Sequence, residues 1–578
     1  MSGRFVRNLL RPMMFMLVLS AMLLPVARPA HAVGQAAKAL FVGNEFYAPT
    51  QAWQDTARSS GYTTLCLFTM HVQANGDLDY NATPLVTNGV YVGDPTWGAK
   101  LAAIKAPPST VNRIEMTVSG YGDPSFTNIK NLIAAQGTGP NSILYRSFQA
   151  LKNATGFDAI QYDDEGTYDL NSAVAFGNMI ASLGMKVTFC PYTYQSFWVN
   201  LKSQLGSKVD AIYLQCYDGG AGNDPANWIR AFGGFKVYPG LWGNVDTMSS
   251  ATAKFRKWQT DLGITGGFLW LNGSFPGDGQ RWAESLHLGL DPIPFFNIVN
   301  QNSGKSLDLI QGNTANGASV NQWSSDIGSG NQRWALAPTE NKDHFKLISW
   351  VSGKAMSISG DSTSTGAQLI DTDYTYGNPS QQWDLVDAGN GWYNIRNVRS
   401  GLMLDVSFSS TTDNATVWQW GSNNGGANQK WRLQPWGKYF VRADSGKYIR
   451  VQKASSTNGS PIVQYDQQNN PLYKWQFMSK GDGFYGVFSL SAPGRVISLR
   501  NASSAPAYST QLWDYNPSNL GYQKVRIVPH TDGKFKFLFK HDGMSWDMPG
   551  GSTANNVSLQ QFPDNNSVWQ TFGLERDQ

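Results

Sequence analysis

The amino-acid sequence predicts a multidomain protein in which a (β/α)8 barrel, or TIM barrel, precedes an all-β half. In the first half, apolar strand-like runs alternate with amphipathic helical stretches about every 25 to 35 residues. After Pro294 the helical periodicity stops, and a Gln-x-Trp motif recurs about every 48 residues. A chain of 578 residues is also too long for one ordinary domain core.

Residues 1–32 have the composition of an export signal. Three arginines precede the apolar run 13–26, and a small-x-small cleavage site ends at Ala32. The run is shorter than the roughly 20 residues that cross a bilayer. We therefore expect cleavage before Val33 and a secreted protein, extracellular or periplasmic, without stable membrane insertion. A single membrane anchor is the alternative.

Charge and cysteine content exclude several classes of function. The signal holds 4 of the 45 Lys and Arg, which leaves 41 against 41 Asp and Glu. A neutral chain without a basic run has no electrostatic footprint for nucleic acid. Cys66, Cys190 and Cys216 lie in apolar runs and are odd in number, which favours free buried thiols over disulfides. No Cys/His cluster has zinc spacing, so we predict no metal and no cofactor.

Eight strand-like runs precede Asp291. They are 38–47, 63–72, 113–122, 157–165, 186–192, 211–218, 236–243 and 266–273, and helical stretches such as 169–184 follow most of them. Eight such units in roughly 260 residues match a TIM barrel. The alternative is an open doubly wound sheet, which usually has a Gly-x-Gly-x-x-Gly turn after its first strand; that turn is absent here.

The fourth predicted strand ends in an acidic cluster. Because side chains alternate along a strand, Gln161, Asp163 and Glu165 point to one side, which is inward in a parallel barrel. Glu165 is then at the C-terminal rim, where barrel enzymes carry out chemistry. Two neighbouring carboxylates repel, so one should hold a proton near neutral pH, as a general acid requires. A solvated acidic turn or a cation site is equally consistent with this run.

The run from Asp158 to Glu165 resembles the Asp-x-x-Asp-x-Asp-x-Glu signature of glycoside hydrolase family 18, the chitinases and endo-N-acetylglucosaminidases. Asp158, Asp163 and Glu165 match the signature, and Gln161 replaces its second Asp. The substitution puts a neutral amide where the family has a carboxylate that shares charge with the third Asp.

Three further segments are similar to motifs of the same family. They follow predicted strands three, six and eight, and are Ser119-Gly120-Tyr121-Gly122, Gln215-Cys216-Tyr217-Asp218 and Trp270. With the acidic run, the resemblance covers residues 38–273.

The resemblance implies substrate-assisted hydrolysis of β-linked N-acetylglucosamine polymers with retention of configuration. Glu165 would protonate the glycosidic oxygen, Asp163 would orient the substrate acetamide, and the Tyr217 hydroxyl would hold the acetamide oxygen. The residues implied in substrate binding are Gln161, Gln215, Asp218 and Trp270, the last by stacking under the sugar.

The repeated Gln-x-Trp motif resembles the ricin-B-type β-trefoil lectins, in which three repeats close one trefoil. On this resemblance, 33–291 is the barrel, 295–436 is a lectin trefoil, and 437–578 is a second, degenerate trefoil. Six repeats are also consistent with a closed propeller.

In that lectin family a sugar pocket combines an Asp, an aromatic residue and an amide, which suits a sugar's hydroxyl groups and its apolar face. Three repeats retain such sets: Asp308, Asn321, Trp323 and Asn331 in the first, Asp405, Trp420 and Asn428 in the third, and Asp547, Gln560 and Phe562 in the last. The second repeat has Ser357 and Thr372 at these places, so we predict that it is structural.

The sequence thus predicts a secreted, monomeric glycosidase that cleaves chitin-like glycans and is held on them by weak lectin pockets. One alternative is a non-catalytic chitinase-like lectin, which Gln161 favours. Another is a peptidoglycan hydrolase, because that substrate also carries the 2-acetamido group.

Overall fold

The computed structural model describes residues 36–217, 223–271, 275, 277–326, 328–452, 457–480, 483–518 and 521–577. The predicted export signal and Asp218 lie outside these residues. From Ala37 onward the chain forms one compact unit. Within the described residues, no helix combines the length and the apolar character needed to cross a membrane.

The first half contains a closed barrel of eight parallel strands, as predicted. These strands, β1–β8, are Lys38–Val42, Thr64–Val72, Arg113–Val118, Ala159–Tyr162, Lys186–Phe189, Val209–Gln215, Tyr238–Trp242 and Gly267–Trp270. The barrel closes because β1 pairs with both β2 and β8. Seven of the eight predicted runs contain one of these strands, and the run 211–218 overlaps β6, which begins two residues earlier at Val209. Most observed strands end before the predicted run does, because the chain turns into loops that carry the polar side chains.

Nine helices are described around the barrel. They are α1–α9, at Gln51–Ser59, Trp97–Lys105, Ser125–Gln136, Ile143–Thr155, Leu170–Ser182, Gln195–Leu205, Pro225–Ala231, Met248–Leu262 and Asp278–Leu290. The sequence marks several of their starts: the Asp169 side chain accepts the Ser172 N–H at α5, and Thr247 and Ser250 form a capping box at α8.

Three short strands extend the sheet beyond β2 and were not predicted. They are Leu78–Tyr80, Thr83–Thr87 and Val90–Tyr91, and they pair antiparallel. Asn88 and Gly89 both have positive φ and make the last turn, which is the Asn-Gly signal for a tight hairpin.

The second half consists of six β-rich repeats in two antiparallel sheets, one of 12 strands and one of 13. The first sheet runs from Phe295–Asn300 to Trp431–Trp436, and the second from Tyr439–Ala443 to Phe572–Arg576. The repeats, called R1–R6 below, span 295–338, 345–387, 393–436, 439–479, 485–529 and 535–576. Their inner strands are Ser306–Leu309, Ala318–Trp323, Ala355–Ile358, Leu369–Thr372, Met403–Val406, Ala415–Trp420, Tyr448–Val451, Ile462–Tyr465, Arg495–Leu499, Tyr508–Asp514, Ser545–Asp547, Val557–Ser558 and Gln560–Phe562.

The remaining strands flank these inner pairs. They are Trp334–Pro338, Phe345–Ser349, Trp383–Asp387, Tyr393–Asn397, Lys474–Ser479, Tyr485–Ser489, Val525–Pro529 and Phe535–Phe539.

The tryptophan of each Gln-x-Trp motif is a core residue. Trp334, Trp383 and Trp431 are fully buried, and each indole N–H donates to a main-chain oxygen of its own repeat at 3.1–3.2 Å. R1–R3 therefore use the same buried indole to fill the shared core and to satisfy the same carbonyl group. Trp475 does the same in R4, whereas R5 and R6 have the buried side chains of Val525 and Phe572 at this place.

The barrel packs on the repeats through Arg256 of α8. Its Nη1 donates to the main-chain oxygens of Ser349 and Trp350 at 2.8 and 2.7 Å, and its guanidinium lies over the rings of Phe295 and Trp350. Burial lowers the pKa of Arg256 to about 9. The cation is held by carbonyl groups and aromatic faces.

Candidate functional site

Two carboxyl groups meet at the C-terminal end of β4. The side-chain nitrogen of Gln215, the last residue of β6, lies 3.0 Å from Oδ1 of Asp163 and 3.2 Å from Oε1 of Glu165. The same nitrogen lies 3.2 Å from the Cys190 carbonyl oxygen at the end of β5. Three neighbouring barrel strands therefore position the pair, and one amide holds both carboxyl groups.

The environment of this pair favours a shared proton. Burial, followed by the nearby charge of Glu165, raises the pKa of Asp163 well above its usual value. Burial also raises the pKa of Glu165, and the amide of Gln215 partly offsets this. Because the two groups interact strongly, the proton belongs to the pair, which keeps it to a higher pH than an isolated carboxyl group does.

A cavity of about 300 Å³ opens above the pair, and aromatic side chains form most of its wall. Tyr217 is buried, and its ring centre lies 5.5 Å from that of Trp270. Trp242 stacks on Trp270 at 5.7 Å. The Trp242 indole N–H is buried and has no hydrogen-bond partner among the described residues. Trp242 is the last residue of β7.

Gln161 is placed below the cavity and does not line it. The Thr117 hydroxyl donates to Gln161 Oε1 at 2.8 Å, and Gln161 Nε2 lies 3.6 Å from Sγ of Cys66. The described hydrogen bonds give Asp163 the amide of Gln215 instead. Asp158, at the start of β4, accepts hydrogen bonds from Lys105 and from the Ile114 N–H, so it braces the barrel away from the cavity.

Metal ligands are a separate question. Within the part of the chain that the structure describes, no group of three or more His, Cys, Asp or Glu side chains is arranged to hold a metal ion. The carboxyl pair is instead organised by an amide and aromatic rings.

R1 presents a polar pocket. Asp308 and Asn321 face each other across paired strands, and the Gln332 amide donates to Asp308 Oδ2 at 2.9 Å. Trp323 lies two residues beyond Asn321 and is 44% exposed. Asn331 is half-buried beside Gly312. Burial raises the pKa of Asp308.

R3 has the same plan with one difference. Asp405 accepts from Asn428 at 2.8 Å, and Trp420 is 42% exposed, as expected for a pocket. The residue that faces Asp405 across the strand pair is Trp418, which sequence reasoning missed. Its indole N–H donates to Asp405 Oδ1 at 2.9 Å.

R6 brings Asp547 and Gln560 together at 2.7 Å, with Phe562 half-buried beside them. Trp569 is exposed at the position that Asn331 and Asn428 hold in the other repeats, and it was also missed. Burial raises the pKa of Asp547. R6 therefore has a carboxyl group, an amide and an aromatic surface in one place.

R2, R4 and R5 lack the carboxyl group. Ser357 faces Ile370 in R2, and Ser498 faces Gln511 in R5. In R4, Arg450 holds the strand position of the aspartate, and its guanidinium lies over the rings of Tyr465 and Tyr473.

A lectin family model matches much of the second half. Residues 278–372, 330–420, 379–465 and 427–513 match the family model described as ricin-type beta-trefoil lectin domain-like. These matches cover R1 to R4 and part of R5. No curated protein matches the chain.

Several solved structures are similar to part of this chain. The designed 3-fold symmetric protein ThreeFoil is 42% identical over 24% of this chain and 96% of its own, with a TM-score of 0.23. An exo-beta-1,3-galactanase from Clostridium thermocellum is 34% identical over 24% of this chain and 30% of its own, with a TM-score of 0.23. The Macrolepiota procera ricin B-like lectin in complex with lactose is 21% identical over 24% of this chain and 93% of its own, with a TM-score of 0.21.

Proposed function

Because the chain contains ricin-type β-trefoil lectin domains, we propose that it is a secreted glycan-binding protein whose barrel is a family 18 type glycoside hydrolase. Its substrates are glycans with β-linked N-acetylglucosamine, and its architecture is a TIM barrel followed by two trefoils. The observation that carries the enzyme proposal is the carboxyl pair of Asp163 and Glu165, held by Gln215 in an aromatic cavity at the C-terminal end of the barrel strands.

The acid in this proposal is Glu165. It is half-buried, and burial raises its pKa, so the protonated form persists at pH values where an exposed carboxyl group is ionised. Glu165 donates its proton to the glycosidic oxygen as the bond from that oxygen to C1 breaks. The resulting carboxylate then takes a proton from the water that completes the reaction.

The nucleophile is the acetamide oxygen of the substrate, which forms a bond to C1 as the leaving group departs. Asp163 accepts the acetamide N–H and stabilises the positive charge that develops on the ring. The hydroxyl of Tyr217 donates to the acetamide oxygen. Trp270 supports the apolar face of the sugar, and the unpaired indole N–H of Trp242 offers one more donor at the same wall.

Replacement of the family's second Asp by Gln161 affects this scheme less than the sequence suggests. Gln161 is bound to Thr117 and Cys66, while the amide that meets Asp163 belongs to Gln215. Asp163 therefore has one amide partner and one carboxyl partner in Glu165. We propose that the enzyme is active but slower than relatives with three inward carboxylates.

A panel of acetamido-glycans tests the proposal. Chitohexaose, peptidoglycan and N-glycan cores are incubated with the mature protein and with Glu165→Gln, and the anomer released from chitohexaose is followed by NMR. Hydrolysis of one substrate with retention, lost in Glu165→Gln, supports the enzyme proposal and selects among chitinase, peptidoglycan hydrolase and endoglycosidase. If neither protein hydrolyses any of these substrates, the enzyme proposal is contradicted.

The second candidate is a non-catalytic chitinase-like lectin. The neutral Gln161 in the barrel favours it, because the barrel interior then carries one carboxylate fewer than the family signature. In that case chitohexaose should quench the tryptophan fluorescence of the wild type and of Glu165→Gln equally, without cleavage.

A further inference from the structure

R1 and R3 use their aspartates differently. The Asp308 carboxylate accepts one described side-chain hydrogen bond, from Gln332 to Oδ2. The Asp405 carboxylate accepts three: Trp418 donates to Oδ1 at 2.9 Å, and Asn428 and Gln429 donate to Oδ2 at 2.8 Å. A carboxylate has about four acceptor positions. Most acceptor positions of Asp308 are therefore open to hydroxyl groups of a ligand, whereas most acceptor positions of Asp405 are taken by side chains of the protein.

The indole that Asp405 holds belongs to an aromatic surface. Trp418 stacks on Trp420 with ring centres 5.1 Å apart and planes 23° from parallel. On its other side lies Phe408, at 5.2 Å and 63°. Phe408 is 90% exposed. Among the described residues of R1–R6, Phe408 is the most exposed large hydrophobic side chain. Most of its surface therefore faces solvent.

The backbone at Phe408 shows that this exposure is unusual. Phe408 has a φ of +53° at the centre of the short turn Ser407–Ser409. The equivalent turns of four other repeats place a left-handed residue at the same point, and these residues are Gln311, Gly360, Asn501 and Gly550. Glycine and asparagine suit that conformation, whereas a bulky aromatic residue is strained there. R3 therefore carries both backbone strain and an exposed ring that the fold does not require.

We propose that R3 is a binding surface for unbranched glycan chains, on which pyranose rings stack across Phe408, Trp418 and Trp420. The inference rests on the proposed glycan-binding function and adds that different repeats bind different parts of a glycan. R1 and R6 recognise single terminal sugars through a carboxylate with open acceptor positions. In R3, Asp405 is a positioning residue that fixes the Trp418 indole, and the aromatic faces meet the C–H faces of successive rings.

The substitutions that test this proposal are chosen to suit the fold. Phe408→Gly removes the exposed ring, and it places at the left-handed position the residue that R2 and R6 have there. Trp418→Asn installs the residue that faces the aspartate in R1, and so frees Oδ1 of Asp405. Gln311→Gly, at the equivalent turn of R1, is the matched control.

Binding is measured on the full mature chain carrying Glu165→Gln, called the parent here, so that chitohexaose is not cleaved during the titration. The ligands are chitohexaose, cellohexaose and xylohexaose, with lactose as a short ligand. We expect Phe408→Gly to weaken binding of at least one hexasaccharide about five- to tenfold while lactose affinity is unchanged. Trp418→Asn should weaken binding of the same hexasaccharide and raise the number of lactose sites by one. Gln311→Gly should behave as the parent.

The possible failures are distinguishable. If the parent binds lactose but no hexasaccharide better than lactose, or if Phe408→Gly and Trp418→Asn bind every hexasaccharide as the parent does, the inference about R3 is overturned and the glycan-binding function stands. If the parent binds none of these saccharides, both are overturned. Circular dichroism and the melting temperature of each variant show whether it is folded.

Discussion

Oδ2 of Asp371 accepts a hydrogen bond of 2.6 Å from the Ser352 hydroxyl, deep inside R2. Gln322 and Gln419 hold the same strand position in R1 and R3. There, each amide group donates to two main-chain oxygens of a neighbouring repeat at 2.9 Å. Asp371 has no amide to donate, and its Oδ1 is buried without a partner among the described residues. Among R1–R3, two repeats therefore have an amide that bonds to a neighbouring repeat, and R2 has a carboxyl group that cannot make this contact.

We expect Asp371→Gln to stabilise the protein above neutral pH. Burial raises the pKa of Asp371 to about 7, so the folded protein binds a proton there that the unfolded chain releases near pH 4. The stabilising contribution of this proton is complete below pH 4, falls by about 1.4 kcal/mol per pH unit as the pH rises, and is gone above about 7. The Gln variant should lose this slope and be more stable at pH 8, as measured by urea unfolding.

Gln322→Asp is the matched reversal. It should introduce the same pH slope into R1 and lower stability at pH 8. Equal stability of wild type and Asp371→Gln from pH 4 to pH 8 would contradict this account of the buried carboxyl group.

Glu165→Gln should abolish hydrolysis and keep binding. Removal of a positioned acid typically costs about 10² to 10⁴ in rate, whereas stacking on Trp270 does not depend on that proton. The wild-type rate should remain high above the usual pKa of a carboxyl group and fall as the pH passes the raised pKa of Glu165. The pH–rate profile on chitohexaose and the fluorescence titration of the variant measure these two effects. A pH-independent rate from pH 4 to 9 would speak against the acid role.

Asp308→Ala and Asp547→Ala should each weaken lactose binding about tenfold or more at the repeat that carries the change, and so lower the number of lactose sites by one. A hydrogen bond to a charged group contributes about 1.5 to 3 kcal/mol, and each aspartate has acceptor positions open to a sugar. Because each carboxyl group accepts few hydrogen bonds from the rest of the protein, the melting temperature should change little. Ser357→Ala in R2 is the control and should bind as the wild type does; similar losses from all three variants would refute the pocket positions.

Arg256→Ala should loosen the barrel from the repeats. The guanidinium also donates to the Leu288 oxygen at 3.2 Å, so its removal leaves buried carbonyl groups unpaired at a cost of roughly 3 kcal/mol. Calorimetry should then resolve separate transitions for the barrel and for the repeats.

Cutting the chain at Asp291-Pro292 tests the related prediction that each half folds alone. If the fragments do not fold, the domain boundary lies elsewhere.

The local patterns of the sequence were sufficient for the outline of the fold. Apolar strand-like runs, separated by amphipathic helical stretches, predicted the eight parallel strands. A strand that is buried on both faces is apolar throughout, whereas a helix packed on one side is apolar on one face only. The recurring Gln-x-Trp motif predicted the repeats, because each repeat buries a large apolar side chain at this place, an indole in R1–R4. The missed extension after β2 is short, and only its Asn-Gly turns mark it.

The partners of the functional side chains were decided by tertiary structure. Gln161 is two residues from Asp163, yet the amide that holds Asp163 comes from Gln215, about 50 residues away on β6. In R3, the role of Asp405 depends on Trp418, which strand register places opposite it. Periodicity in a sequence encodes which face of an element is buried, but a hydrogen bond between elements depends on register and packing across the fold. For that reason the sequence determined the strands and the repeats, and only the folded chain decided which carboxyl groups remain free to meet a sugar.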